Sequence, residues 1–260
     1  MMIFIKLGGS LITDKRQERS FRADVMTRLA KEIATGWNPN SPLLIGHGSG
    51  SFGHVIAKQH GTMQGVHTPE QWRGFAEVAT VAAELNYLVA DALSKAGVPV
   101  WRIQPSASAK CRDGKIIHMA LFPIKTALKH RIVPLVYGDV ALDEIRGGTI
   151  ISTETVMSYL VDHLPVQRII LLGEVPGVLD EQKAVIPRIT PQNIKQYQSI
   201  LGSSEGTDVT GGMLTKVTDM LELVKLKPEL TIQIMDGRVP GLLHETLVNH
   251  THTGTLITAQ

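Results

Sequence analysis

The chain has 260 residues, 43% hydrophobic and 19% charged, with 26 basic and 24 acidic side chains and a formal net charge of +2. That balance suits one large globular domain or two closely packed lobes, and supplies no global field to draw in nucleic acid or a membrane surface. A single cysteine, Cys111, excludes an internal disulfide and fits a reducing compartment.

The first residues, "MMIFIKLGGSLITDK", are apolar too briefly for a signal peptide or a membrane span, and no later apolar run approaches the length of a span, so the expected location is the cytoplasm. "MIFIKL" reads as a strand buried on both faces, ended by Gly8 and Gly9. "RADVMTRLAKEIATG" reads as a helix and "SPLLIGH" as a second buried strand. A long helix follows from Pro69 to the stop at Gly97, with Thr68 as its cap. "VPVWRIQ" is a strand, "CRDGKII" a hairpin tip turning on Asp113-Gly114, and "ALFPIKTALKH" a helix broken or started near Pro123. "RIVPLVYGDV" reads as one strand, and "STETVMSYLVDHL" as a helix capped by Ser152 or Thr153. After Leu164-Pro165, the expected lobe boundary, come the strand "VQRIILLGEV" and the helices "TPQNIKQYQSILG" and "GGMLTKVTDMLELVKLKP". "LTIQIMDG" and "GTLITAQ" are the closing strands. Alternating strands and helices predict an α/β fold: an open, mostly parallel sheet sandwiched between helices. Only "GSSEGTDVTGG", residues 202–212, reads as loose.

In such a sheet, ligands gather beyond the carboxyl ends of the strands. Three glycine loops fall there: "KLGGS", "GHGSGSFGH" and "TGGMLTK". Glycine lets several backbone N–H groups approach an anion, and a helix start adds its positive dipole end. Gly48, Gly50 and Gly53 match the spacing of a dinucleotide-binding turn. That motif, however, follows the second strand, and Glu70, the nearest acidic residue, opens a helix instead of ending a strand. No P-loop pattern occurs. Glycines do recur beside lysines: Lys6 before Gly8-Gly9, Lys15 after them, and Lys216 four residues past Gly212. Positioning and charge neutralisation are what phosphoryl transfer requires. Lys6 ends an apolar buried strand, where an unpaired ammonium would be costly.

Together these stretches resemble the amino acid kinase family. The resemblance runs from "IKLGGS" through "GHGSGSFGH", "VYGDVALD" and "DVTGGMLTKV" to the last strand. Within the family, "KLGGSLITDK" with "GSGSFGH" is similar to the isopentenyl phosphate kinases of isoprenoid biosynthesis. The histidine ending the second loop is the feature that carries this, and fosfomycin-phosphorylating kinases share it. A phosphate acceptor also makes chemical sense. A phosphate monoester, with its second pKa about 6, is already an anionic nucleophile and needs no base.

The resemblance implies ATP and Mg²⁺, the ion being held mainly by the nucleotide's phosphates. It implies that Lys6, Gly8, Gly9 and Ser10 line the ATP phosphates, with Gly50 approaching them and Gly212 and Lys216 on the far side. Lys15 would stabilise the transferring group, Ser49 and His54 would touch the acceptor phosphate, and Thr153 would supply a backbone contact to it. Asp139 would support its loop. Residues 1–164 would bind the acceptor and mediate a homodimer, and residues 165–260 would bind ATP. No protein metal ligand is implied. Two positions depart from the family's pattern. Glu154 in "STET" stands where Asp is usual, so its pairing with the lysines could be looser. "GEVPGV" with Glu174 replaces an Asp-containing stretch on the nucleoside side, which leaves base preference open. Val78, Ala79, Ala82 and Ala83 are candidates for an isoprenoid tail wall. Outside kinases, an NAD(P)-binding oxidoreductase built on residues 48–53 and a non-catalytic nucleotide-sensing module remain as alternatives.

Overall fold

A computed structural model describes residues 1–14, 16–198 and 213–260, including all of their side chains except those at 54 and 55. The expectations for Lys15, Gly212, the side chain of His54 and the stretch 202–212 therefore lie outside the described residues.

Eight strands form the main sheet. They are β1 (Met2–Leu7), β2 (Leu43–His47), β3 (Val100–Arg102), β6 (Val133–Tyr137), β9 (Val166–Gly173), β10 (Arg188–Ile189), β11 (Thr231–Asp236) and β12 (Thr255–Ile257). Their order is β10-β12-β11-β9-β1-β2-β6-β3, parallel throughout except where β11 meets β12. β1 lies between β2 and β9, so both of its neighbours are strands from different halves of the chain. Its side chains divide by the period of two: Ile3 and Ile5 join one core and Phe4 the other. The first core packs against α2 (Ala23–Gly36), α4 (Pro69–Lys95) and α8 (Leu242–Asn249). The second packs against α5 (Phe122–Lys129), α6 (Thr153–His163) and α7 (Met213–Leu226). This is the helix–sheet–helix sandwich expected from the alternating pattern.

The punctuation residues act as anticipated. Thr68 caps α4 in a capping box with Gln71, Pro69 opens its first turn, and Ser152 accepts the Thr155 N–H to cap α6 at 3.0 Å. The boundary expected at Leu164-Pro165 falls in the turn between α6 and β9.

The structure differs from these expectations in three places. "RIVPLVYGDV" is two strands, because at Gly138 the chain passes the start of α6 so closely that a Cβ there would stand 3.3 Å from the Thr153 nitrogen. The chain then enters a separate four-stranded sheet, ordered β5-β4-β7-β8, from β4 (Lys110–Arg112), β5 (Lys115–His118), β7 (Asp139–Asp143) and β8 (Gly147–Ile151). In "TPQNIKQYQSILG", expected to be a helix, the described residues ahead of Gln198 form turns and a short 3-10 helix, Ile194–Gln196, while residues 199–202 lie outside the described ones. Thr190 and Asn193 bond to each other's backbone N–H and tie the segment into turns. Two short helices follow the first two glycine loops directly and were not foreseen, α1 (Gly9–Ile12) and α3 (Gly50–His60).

Candidate active site

The first two glycine loops interlock. Gly8 N–H donates to the Leu172 carbonyl at 2.8 Å, bringing the end of β1 against the end of β9. Any side chain on Gly9 would put a Cβ 2.4 Å from the Gly50 nitrogen, so both positions must be bare for the loops to meet. Thr13 fastens them: its hydroxyl donates to the Gly9 carbonyl at 2.7 Å and accepts the Ser51 N–H at 2.9 Å.

Behind the loops sits an ion pair. Lys6, at the end of β1, donates to the Glu154 carboxylate in the first turn of α6. Burial pushes the Glu154 pKa up, but the charge and hydrogen bond of Lys6 and the charge of Lys216 outweigh it, leaving the carboxyl below its ordinary value. Glu154 is therefore ionised and answers to both lysines. The added methylene does not leave this pair unmade. One turn past Lys216 on α7, Asp219 is raised by burial and by the nearby Glu154.

Lys6, Glu154 and Lys216 line one cavity of about 410 Å³. Lys6, Gly8, Gly9, Ser10, Gly48, Ser49, Gly50, Thr153, Glu154 and Lys216 all border it. On the β9–α7 side it is lined by Gly173, Glu174, Val175, Met213, Met220 and Ile234. From α3, α4, the loop between them and β8 come Ala57, Lys58, Met63, Gln64, Val78, Ala82 and Ile150, which form its other end. Val78 and Ala82, but not Ala79 or Ala83, face this end; the helical period turns the latter two away. Position 54 lies on α3 between Gly53 and Ala57, both of which line the cavity. At the far end Glu174 pairs with Arg22 at 2.6 Å, tying the end of β9 to the start of α2.

Sequence reasoning passed over the support beneath the second loop. His47, 1% exposed, ends β2 and stacks on Tyr137 with ring centroids 5.6 Å apart. Its Nδ1 bonds to the Gly48 carbonyl at 3.0 Å and its Nε2 accepts from Asn86 of α4 at 3.1 Å, while Thr153 donates to its carbonyl at 2.6 Å. Burial pushes its pKa down to about 4, against the smaller opposing effect of the Gly48 carbonyl, so it is a neutral structural donor at pH 7. Its signal was its place two residues ahead of Ser49 inside the glycine motif. Asp139, also 1% exposed, accepts from the Ser106 and Val140 N–H groups at 3.0 and 2.9 Å. Burial raises it overall despite these bonds. Its carboxylate braces the crossing between the two sheets. Lys58, four residues after His54, is a further cation at the apolar end and was not singled out.

The amino acid kinase family profile matches residues 1–235. The chain belongs to the amino acid kinase family. It is 35% identical to the isopentenyl phosphate kinase of Methanothermobacter thermautotrophicus across the full length of both chains. It is also 35% identical to that of Haloferax volcanii, over 92% of this chain and 97% of the relative. A crystal structure of an isopentenyl phosphate kinase superposes with a TM-score of 0.83 at 31% identity, covering 99% of this chain and all of the other.

Proposed function

We propose that this kinase transfers the γ-phosphoryl group of ATP to isopentenyl phosphate, giving isopentenyl diphosphate and ADP. The observation that carries the reading is the make-up of this cavity. A cationic, glycine-lined middle holding Lys6 and Lys216 separates a β9–α7 end from a small apolar end on α3 and α4. The full-length similarity to isopentenyl phosphate kinases supports it. Residues 165–260 carry ATP at the first end, with Lys6, Gly8, Gly9, Ser10, Gly50, Glu174, Gly212 and Lys216 around its phosphates and nucleoside. Residues 1–164 carry the acceptor, with Ser49, Gly50, His54 and Thr153 at its phosphate and Val78 and Ala82 along its tail.

The acceptor's dianion attacks the γ-phosphorus directly, so the protein's task is to let two anions meet. Lys6, Lys15 and Lys216 offset the charge that builds on the transferring oxygens. Glu154 keeps the Lys6 ammonium aimed at the cavity, and the neutral imidazole of His47 keeps the Gly48 carbonyl turned so that the following amides face it. Among the described residues there is no cluster of three metal-binding side chains, and the cavity's carboxylates are engaged by Lys6, Arg22 and backbone N–H groups. This donor set fits Mg²⁺ carried by ATP's own phosphates, where it neutralises donor charge.

Among the described residues no helix is long and apolar enough to cross a membrane. The protein acts on small molecules in the cytoplasm as a homodimer. An ADP-release assay with ATP and Mg²⁺ tests the reading against isopentenyl phosphate, dimethylallyl phosphate, longer prenyl phosphates and fosfomycin. Turnover is expected to be fastest with a short prenyl phosphate. Preference for fosfomycin, or no turnover of any prenyl phosphate, would overturn it.

A further inference from the structure

The apolar end of the cavity includes a loop with no regular secondary structure of its own. Residues 61–67 join α3 to α4 and contribute Met63 and Gln64 to the cavity wall. Within the loop, Thr62 N–H reaches back to Ala57 and Gln64 N–H to Gly61. Its outward carbonyl and its far end are held from elsewhere. The Met63 carbonyl accepts from Arg146 Nη1 at 3.2 Å and from the Thr149 hydroxyl at 3.4 Å, and Val66 N–H donates to the Arg146 carbonyl at 2.8 Å. Arg146 lies in the β7–β8 turn of the small sheet, not in the substrate cavity.

That arginine is itself fixed. Its Nε and Nη2 grip Asp113 Oδ1, at the β4–β5 hairpin tip, at 3.0 and 2.7 Å. Asp143 then gathers four backbone N–H groups, from Asp113, Gly114, Ile145 and Arg146, at 2.7 to 3.1 Å. The two turns are thus locked together before either meets the loop. The fit leaves no slack, since a Cβ on Gly147 would stand 2.2 Å from the Val66 carbonyl oxygen.

Resting on the proposed function, we infer that Arg146 is a positioning residue for the acceptor: braced by Asp113, it sets the Met63 wall of the acceptor end through the Met63 carbonyl. A guanidinium makes a strong bond to a carbonyl and has a fixed fork, so it transmits the rigidity of the hairpin to a loop that lacks its own. The small sheet, on this account, serves as the brace of the acceptor pocket, and the nucleotide end does not depend on it.

The test compares wild type with Arg146→Ala, Arg146→Lys and Asp113→Asn. Arg146→Ala is expected to raise KM for isopentenyl phosphate about tenfold, with KM for ATP and kcat within about twofold. Arg146→Lys, which can still reach the Met63 carbonyl but lacks the fork, recovers part of that loss. Asp113→Asn gives a smaller rise in the same direction. Hydrogen exchange is read in parallel and needs no acceptor: amides of residues 61–67 exchange about tenfold faster in Arg146→Ala, while those of β9 and α7 do not change. An unchanged acceptor KM, or equal rises in both KM values, would overturn the inference, as would unchanged exchange in the loop. If Arg146→Ala does not fold, the Arg146→Lys and Asp113→Asn variants decide by the same criteria. If wild type shows no turnover of isopentenyl phosphate, the functional reading fails, and the exchange measurement alone judges the brace.

Discussion

The middle of the cavity and its acceptor end are built on different principles. The middle is made largely of backbone and strand ends: Gly8, Gly9 and Gly50 interlock, and Lys6 sits near the end of a central strand. The acceptor end is made of side chains from α3, α4, a loop and a strand of the small sheet, with hydrogen bonds from the small sheet holding the loop. The first holds its charges, Lys6 and Glu154, on a strand and a helix start beside fixed backbone, and the second sets shape with side chains from several elements. A catalytic apparatus of the first kind tolerates little change, because backbone has no alternative rotamers. A wall of the second kind can be retuned by one methyl group without disturbing the chemistry.

The largest expected effects break the charged middle. Lys6→Ala should lower kcat about 10² to 10³-fold with both KM values less affected, as loss of one transition-state donor does. Steady-state kinetics checks this, and wild-type turnover would remove Lys6 from the chemistry. Next, Gly9→Ala forces the two loops apart and should cost about a hundredfold in kcat/KM for both substrates, since small misplacement at the reacting centre is expensive. A variant impaired toward one substrate only would show that the loops are not interdependent.

Changes at the other end should be smaller and one-sided. Ala82→Leu fills the apolar wall and is expected to raise KM for isopentenyl phosphate about tenfold while leaving KM for ATP alone. A pocket of this kind would also lose longer prenyl phosphates first, which the same acceptor panel reads out.

His47 sharpens the comparison from below, since it braces the second loop without touching the cavity. Its folded pKa of about 4 lies under the ordinary 6.5, so the unfolded chain takes up the proton first as pH falls. Its contribution is complete above pH 6.5 and drains away as the pH falls through the window toward 4, by roughly 3 kcal/mol at most. Thermal unfolding followed from pH 7 to pH 4 should therefore be steeper in wild type than in His47→Gln. Parallel curves would mean the buried imidazole does not titrate as the fold requires. The smallest effect is expected of Glu174→Gln. The Arg22–Glu174 pair is about one-third exposed, so KM for ATP should move by no more than about twofold.

Much of the charged middle was legible in the sequence. Strand-then-glycine spacing located both first loops, and the oddity of a lysine ending the apolar run "MIFIKL" anticipated a buried partner, which proved to be Glu154. The parallel sandwich followed from alternation of strand and helix patterns. Less was legible where one stretch serves two elements. "RIVPLVYGDV" has uniform strand character, and nothing in it announces that Gly138 turns the chain into another sheet. Val78 and Ala82 could not be told from Ala79 and Ala83 by residue type, since all four suit a core. His47 was hidden because a histidine beside glycines looks like a ligand contact, whereas packing made it a buried brace.

What the sequence determined by itself was the period of each element, the glycines that permit close backbone approach, and the presence of lysines beside them, because these are local properties of φ, ψ and side-chain type. Tertiary structure alone decided which carboxylate meets which lysine, which face of α4 becomes a wall, and that a hairpin braces a distant loop. Those outcomes depend on distances across the fold, from Lys6 to Glu154 and from Arg146 to Met63, and only packing of the two sheets brings such residues within bonding range.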